Sequence, residues 1–320
     1  MQQRFLGSTG LKVSRLGLGT MTWGRDTDEH EARDQLVSFV EAGGTLVDTA
    51  AGYGNGDSER TIGRLLGDVV PRDEVVLASK AGIGRLRGER ETNLSRGYLL
   101  GNLDESLRRL GVDHLDLWQI HTWSDEVPLE ESLSALDIAY NSGRVRYVGI
   151  SNYSGWQSAQ AATWQRGVAG RAPLASNQVE YSLLSREIEH EVIPAAQALG
   201  LGILPWSPLG RGVLTGKYRT GTPADSRAAS PHFGAFVGKH LNERSQRIVE
   251  AVARAGEGLG WTSLEVALAW VRDRPGVTAP IIGARTAEQL KASLLVEECE
   301  LPAEIVAALD DVSGPTEGDL

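Results

Sequence analysis

Thr45-Leu-Val-Asp-Thr-Ala-Ala-Gly-Tyr-Gly-Asn-Gly-Asp-Ser-Glu59 joins a short apolar run to a glycine-rich turn and then to the polar start of a helix. Leu46 and Val47, behind Gly43 and Gly44, are too few for a helix and read as a buried strand that Asp48 closes. Gly52, Gly54 and Gly56 open backbone angles that other residues avoid, so the chain can turn sharply and set Tyr53 beside the strand end. Ser58 and Glu59 then begin a helix whose apolar stripe is Ile62, Leu65 and Leu66. Taken alone, Asp48 reads as readily as a cap or turn acid. Its neighbours along the chain change that reading.

The same strand, turn and helix unit recurs outward from this stretch. Residues 29–41, with Ala32, Leu36, Phe39 and Val40 at helical spacing, precede it. After it, the apolar run 73–80 ends in Lys80. A helix over 95–110 follows, stopped by Gly111, and the run 114–121 ends in His121. Helices are expected at 129–141, 156–165, 187–199, 244–256 and 263–271, and strands at 146–151, 175–178, 202–206 and 279–282. With a first strand at 16–20, these make eight strand candidates, and a small hairpin around residues 7–10 stands before them. Eight βα units with right-handed crossovers predict an α/β fold, a (β/α)₈ TIM barrel whose site lies at the C-terminal ends of the strands. Periodicity alone also allows an open doubly wound sheet. Gly17 and Gly19, however, lack the third glycine of a dinucleotide fingerprint. No composition shift marks a boundary, so 1–320 reads as one domain. Residues 209–243 read as a long loop over the site and 314–320 as a mobile tail.

Composition removes several function classes. Acidic residues number 42 against 32 basic, a formal charge of −10, with no long basic run, which argues against nucleic acid. Cys299 is the only cysteine, so neither an internal disulfide nor a cysteine zinc site is available. The histidines show no ligand pairing at helical spacing. Met1-Gln-Gln-Arg-Phe5 lacks the apolar core of a signal peptide, and no run is long enough to span a bilayer. A cytoplasmic protein without metal or membrane is expected, and a homo-oligomer is compatible with these features.

Three successive strands ending in Asp48, Lys80 and His121 would gather these side chains at one barrel mouth beside Tyr53. An ammonium next to a phenol favours the phenolate and lowers the tyrosine pKa; a buried lysine in turn needs a carboxylate partner. Tyr53 would therefore be the acid, tuned by Lys80 and Asp48, with His121 hydrogen-bonding a carbonyl oxygen. Such a site moves a proton at an oxygen without a metal and suits carbonyl reduction if a hydride donor is present. A hydrolase with paired carboxylates is disfavoured, because Asp48 has no acidic partner at another strand end.

Asp48 to Glu59, Lys80 after Leu77-Ala-Ser, His121, Gly149-Ile-Ser-Asn152 and Ile281-Ile-Gly-Ala-Arg285 together resemble the aldo-keto reductases. The resemblance runs from about Arg4 to Leu309. Trp206-Ser-Pro-Leu-Gly-Arg-Gly212 is similar to the branch of microbial reductases and potassium-channel β-subunits. It implies a barrel binding NADPH rather than NADH and reducing a small aldehyde or ketone. The alternative it implies is a regulatory subunit that binds NADPH with little turnover. The resemblance would assign Asp48, Tyr53, Lys80 and His121 to catalysis. It would put Gly19, Thr20 and Met21 at the ribose, and Ser151, Asn152 and Gln178 at the carboxamide, with Trp206 on the nicotinamide ring. Ser207, Pro208, Leu209, Gly210 and Gly212 would cradle the pyrophosphate. Lys217, Arg227, Gly283, Arg285 and Gln289 would surround the remaining phosphate and nucleoside. Relatives often carry Glu-Asn where this chain has Ala292 and Ser293, so the adenine contacts depart from the family pattern. Near the strand ends, Trp23 and Trp123 read either as walls of an apolar substrate pocket with Tyr53 and His121 or as loop packing.

Overall fold

Strands buried on both faces are what the sequence requires, and they are what closes this barrel. The computed structural model describes residues 1–86, 89–224, 226–230 and 234–314, and at 85, 86, 89, 90 and 227 the backbone alone. An antiparallel pair, β1 (Gln3–Phe5) and β2 (Lys12–Ser14), leads into β3 (Gly17–Gly19) and α1 (Glu29–Glu41). Then follow β4 (Leu46–Asp48), α2 (Asp57–Leu65), β5 (Val76–Ala81), the hairpin of β6 (Ile83–Leu86) and β7 (Glu89–Thr92), and α3 (Arg96–Leu110). The units β8 (Leu115–Ile120) with α4 (Leu129–Asn141), β9 (Val145–Ser151) with α5 (Gly155–Arg166), and β10 (Leu174–Glu180) with α6 (Val192–Leu199) repeat the pattern. β11 (Gly202–Trp206) is followed by α7 (Gly234–Gly238), α8 (Glu243–Leu259) and α9 (Ser263–Arg272). Last come β12 (Ile281–Gly283), α10 (Ala287–Leu294) and α11 (Ala303–Ser313).

β3, β4, β5, β8, β9, β10, β11 and β12 form a closed parallel barrel in chain order, with β12 returning to β3. The expected (β/α)₈ architecture is thus observed, the N-terminal hairpin included. Helix ends follow local chemistry. Asp28 caps α1 by accepting the Glu31 N–H, and Ser154 and Thr262 form capping boxes with Gln157 and Glu265.

The core has two parts. Inside the barrel, Leu46, Ala78, Leu117, Ala175, Leu204, Ala279 and Ile281 pack with Leu6 and Val13. Those last two belong to the hairpin region, which therefore plugs the N-terminal end of the barrel and leaves the C-terminal end as the open one. A larger apolar cluster lies between the strands and the surrounding helices.

Departures from the sequence expectations are local. The helix expected over 187–199 is broken into a 3₁₀ turn, Glu187–Glu189, and α6. Pro194 lacks an N–H, and restarting at Val192 puts it in the first turn, where no intrahelical bond is lost. The β6–β7 hairpin, α10 and α11 were not expected. In 209–243 the long loop carries 3₁₀ turns at Gly210–Thr215 and Arg227–Ala229 as well as α7. The tail beyond Gly314 lies outside the described residues.

Candidate active site

Asp48, Lys80 and His121 converge because β4, β5 and β8 are neighbours and each delivers its last residues to the same mouth. Lys80 Nζ donates to Asp48 Oδ2 at 2.5 Å and to the Thr49 carbonyl at 2.9 Å. Gln178, at the end of β10, donates from Nε2 to the other Asp48 oxygen at 2.9 Å. Lys80 and Asp48 are buried, so the ion pair is shielded from water and its partners are fixed. Tyr53 begins a tight 3₁₀ turn, Tyr53–Gly56, in which Gly54 and Asn55 adopt left-handed angles. This turn brings its ring to 5.2 Å from Lys80 Nζ and to 5.9 Å, edge-on, from the His121 ring.

Electrostatics correct one expectation. Burial pushes the Tyr53 hydroxyl up from its ordinary pKa. The Lys80 ammonium opposes that rise without overcoming it, and Asp48 adds to it. For Lys80, burial works downward, but Asp48 and then Tyr53 outweigh it, so the ammonium is held. Burial thus outweighs the lysine at Tyr53 and favours the neutral phenol, while Lys80 keeps its charge.

A chain of hydrogen bonds ties this group to the other strand ends. Trp206 Nε1 donates to Asn152 Oδ1 at 2.9 Å, and Asn152 Nδ2 donates to the His121 carbonyl and to Ser151 Oγ. Ser151 Oγ donates to the Gln178 carbonyl at 2.8 Å. Asn152 accepts a left-handed backbone, φ 59°, to reach both neighbours.

A cavity of about 610 Å³ opens above these residues. Its wall includes Asp48, Tyr53, His121, Ser151, Asn152, Gln178 and Trp206, while Lys80 lies behind them. Gly19, Thr20, Met21, Ser207, Pro208, Leu209, Gly212, Lys217, Gly283, Arg285 and Gln289 line it too. Thr20 spends its hydroxyl on the Asp48 carbonyl and on Ser58. The Arg285 N–H donates to Gln289 Oε1 at 3.0 Å, which fixes that corner.

Some expected residues sit elsewhere. Trp23 is fully buried in the core with Nε1 on Gln35, and so does not wall the cavity. Trp123 packs edge-on against Tyr153 and Trp156 and donates to Asp125. Neither ring lines the cavity. Gly210 turns toward Leu184, whose Cδ1 would lie 2.6 Å from an added Cβ, so it serves close packing instead of the cavity. The Arg227 side chain lies outside the described residues. Wall residues that the sequence reading missed include Ile83, Gly84, Arg211 and Phe236, while Ser293, named with the adenine segment, does line the cavity. Arg211 pairs with Glu180 at 2.8 Å, and its guanidinium lies 3.4 Å from the Phe236 ring centre. The glycines on both sides of Arg211 were the available signal for it.

The sequence pattern of the aldo/keto reductase family matches residues 15–313. The chain belongs to the aldo/keto reductase family. It is 38% identical to the uncharacterised oxidoreductase YrpG of Bacillus subtilis over 98% of this chain and 96% of that one. A probable voltage-gated potassium channel subunit beta of Oryza sativa is 35% identical, over 91% of this chain and 89% of its own. The L-glyceraldehyde 3-phosphate reductase of Escherichia coli is 33% identical, over 92% and 87%. Membership of this family, with relatives named as oxidoreductases, supports an oxidoreductase. Among the described residues no group of three or more His, Cys, Asp or Glu is placed to hold a metal ion, and no helix is long and apolar enough to cross a membrane.

Proposed function

We propose that this aldo/keto reductase is an NADPH-dependent oxidoreductase that reduces an aldehyde or ketone to the alcohol. The observation that carries the reading is the buried Lys80–Asp48 pair beside the Tyr53 ring, with Asp48 and Tyr53 lining the cavity. Fit to the cofactor is supported by the wall. Left-handed backbone at Ser207, Arg211 and Gly212 curls the chain around one part of the cavity, with the cations of Lys217 and Arg285 further along. Curled backbone of this kind and charged donors suit pyrophosphate and a ribose phosphate. When bound, NADPH would supply the hydride. Ser151, Asn152 and Gln178 would hold its carboxamide, and Trp206 its ring.

The chain's own part is to orient the carbonyl and deliver a proton. His121 and Tyr53 would both donate hydrogen bonds to the substrate oxygen, polarising the bond toward its carbon. The carbonyl oxygen would take the Tyr53 proton as it is reduced, and the tyrosinate left behind would be stabilised by the Lys80 ammonium. Asp48 keeps Lys80 charged and in place. The reading gives the protein a small-molecule carbonyl partner and a cytoplasmic setting, in which the single Cys299 stays reduced.

Titration with NADPH, followed by absorbance at the nicotinamide band as aldehydes and ketones are added, tests the reading. Oxidation by the wild type and not by Tyr53→Phe supports it. Binding without turnover would favour the second reading, an NADPH-holding regulatory subunit. The likeness to channel subunits keeps that reading in view. Absence of binding would overturn both.

A further inference from the structure

An ion pair between a buried carboxylate and a half-buried guanidinium, Glu59 and Arg109, is used by no step of the proposed chemistry. Glu59, in the first turn of α2, is fully buried with its side chain closed to water. One carboxylate oxygen accepts from Ser79 Oγ at 2.7 Å and the other from Arg109 Nη1 at 3.0 Å, Arg109 reaching across from α3. The Arg109 guanidinium also lies flat against Gly56, the last residue of the Tyr53 turn. A Cβ there would stand 2.7 Å from Nε, and Gly56 holds φ at 90°. Ser79 directly precedes Lys80 and, by strand alternation, faces the opposite side of β5.

We infer that Arg109, Glu59 and Ser79 are positioning residues that lock the turn bearing Tyr53 to the strand bearing Lys80. The links run in order: Tyr53 turn, Arg109, Glu59, Ser79, Lys80. The two bonds to Glu59 are directional and charge-assisted, and the Arg109 guanidinium they hold packs closely on Gly56 of the turn. Apolar packing of the same volume would hold α2 against β5 equally well, since a buried ion pair is seldom a net source of stability. It would not fix the spacing, because apolar contacts slide. Spacing matters here, as a misplacement of about 1 Å between reacting groups can lower a rate about a hundredfold. The inference rests on the reading of Tyr53 as the acid.

The test compares Glu59→Gln and Arg109→Met with Leu6→Ala, which weakens the fold at the far end of the barrel. The first readout needs no turnover. With isotope-labelled tyrosine, the ring-carbon resonance of Tyr53, assigned by its loss in Tyr53→Phe, is followed against pH. Removing the lock should move Lys80 away and shift the Tyr53 titration upward, whereas Leu6→Ala should leave it in place. The second readout is NADPH oxidation at saturation. It should fall about tenfold or more in Glu59→Gln and Arg109→Met while KM and cofactor affinity stay within about twofold. Adding Glu59→Gln to Lys80→Met should cost nothing further, since both act through the same contact. An unmoved Tyr53 titration in folded Glu59→Gln and Arg109→Met, or an equal shift in Leu6→Ala, overturns the inference. If those two variants do not fold, Ser79→Ala is read in the same titration, where no upward shift overturns it. A wild type that binds NADPH and reduces nothing would refute the proposed reaction alone, and the titration would still decide the lock.

Discussion

Tyr53 is where the fold meets the chemistry. Burial raises its pKa above 10.0, the ordinary value, and Lys80 partly offsets the rise. In the proposed reaction the protonated form is the donor, so reduction should hold level through neutrality and fall only as pH rises past that raised value. A pH profile with an alkaline limb below about 9 would contradict the assignment. Lys80→Met removes the offset and leaves a weaker acid, so turnover should drop by a factor on the order of 10² to 10⁴ with the limb moved further up. Asp48→Asn strands the Lys80 charge in a buried site. Denaturant unfolding should show a loss of about 3–5 kcal/mol together with lost activity. The candidates Asp48, Tyr53, Lys80 and His121 were legible because each closes or follows a strand. The direction of the Tyr53 shift was not, since burial is a property of the folded surroundings and has no signature in residue type.

At the scale of elements, the segment that crosses the cavity is the part the sequence described least. It read as a loop rich in small residues. In the structure Phe236 of α7 stacks at 6.4 Å on Trp206, and Glu180 at the end of β10 holds Arg211, Lys239 and His240. Burial alone would raise the Glu180 pKa, but its bonds to His240 and Lys239 and the charge of Arg211 bring it below the ordinary carboxylate value. A depressed carboxylate contributes stability above its unfolded pKa of about 4.3 and loses it as pH falls through the lower folded value. Hydrogen exchange over 234–241 should therefore rise in that acid window, and in Glu180→Gln at neutral pH, while the barrel strands keep their protection. Uniform loss across the strands would refute a local latch. α10 could have been read from Thr286 and Gln289, a cap and its third residue, whereas β6 and β7 carry charges where an alternating strand would carry apolar residues.

For the molecule as a whole, the hairpin plug and the open mouth are at opposite ends of one barrel. Leu6 is fully buried among the interior residues. Leu6→Ala should lower unfolding free energy by about 2–5 kcal/mol yet leave KM near its wild-type value, because the cavity is lined from the other end. A large rise in KM would mean that the two ends are coupled.

The repeat of strand, turn and helix determined from the sequence a parallel sheet buried on both faces by helices, and the count of eight units with no dinucleotide glycine fingerprint favoured closing it into a barrel. The polar residues at successive strand ends named the catalytic candidates by the same logic. Where a given side chain points was left to the tertiary structure. Trp23 went to the core, Trp123 to an aromatic cluster, Gly210 to Leu184, and Arg211 to the wall. Apolar area gains as much from one dry neighbour as from another, and only packing between distant elements chooses which neighbour it meets.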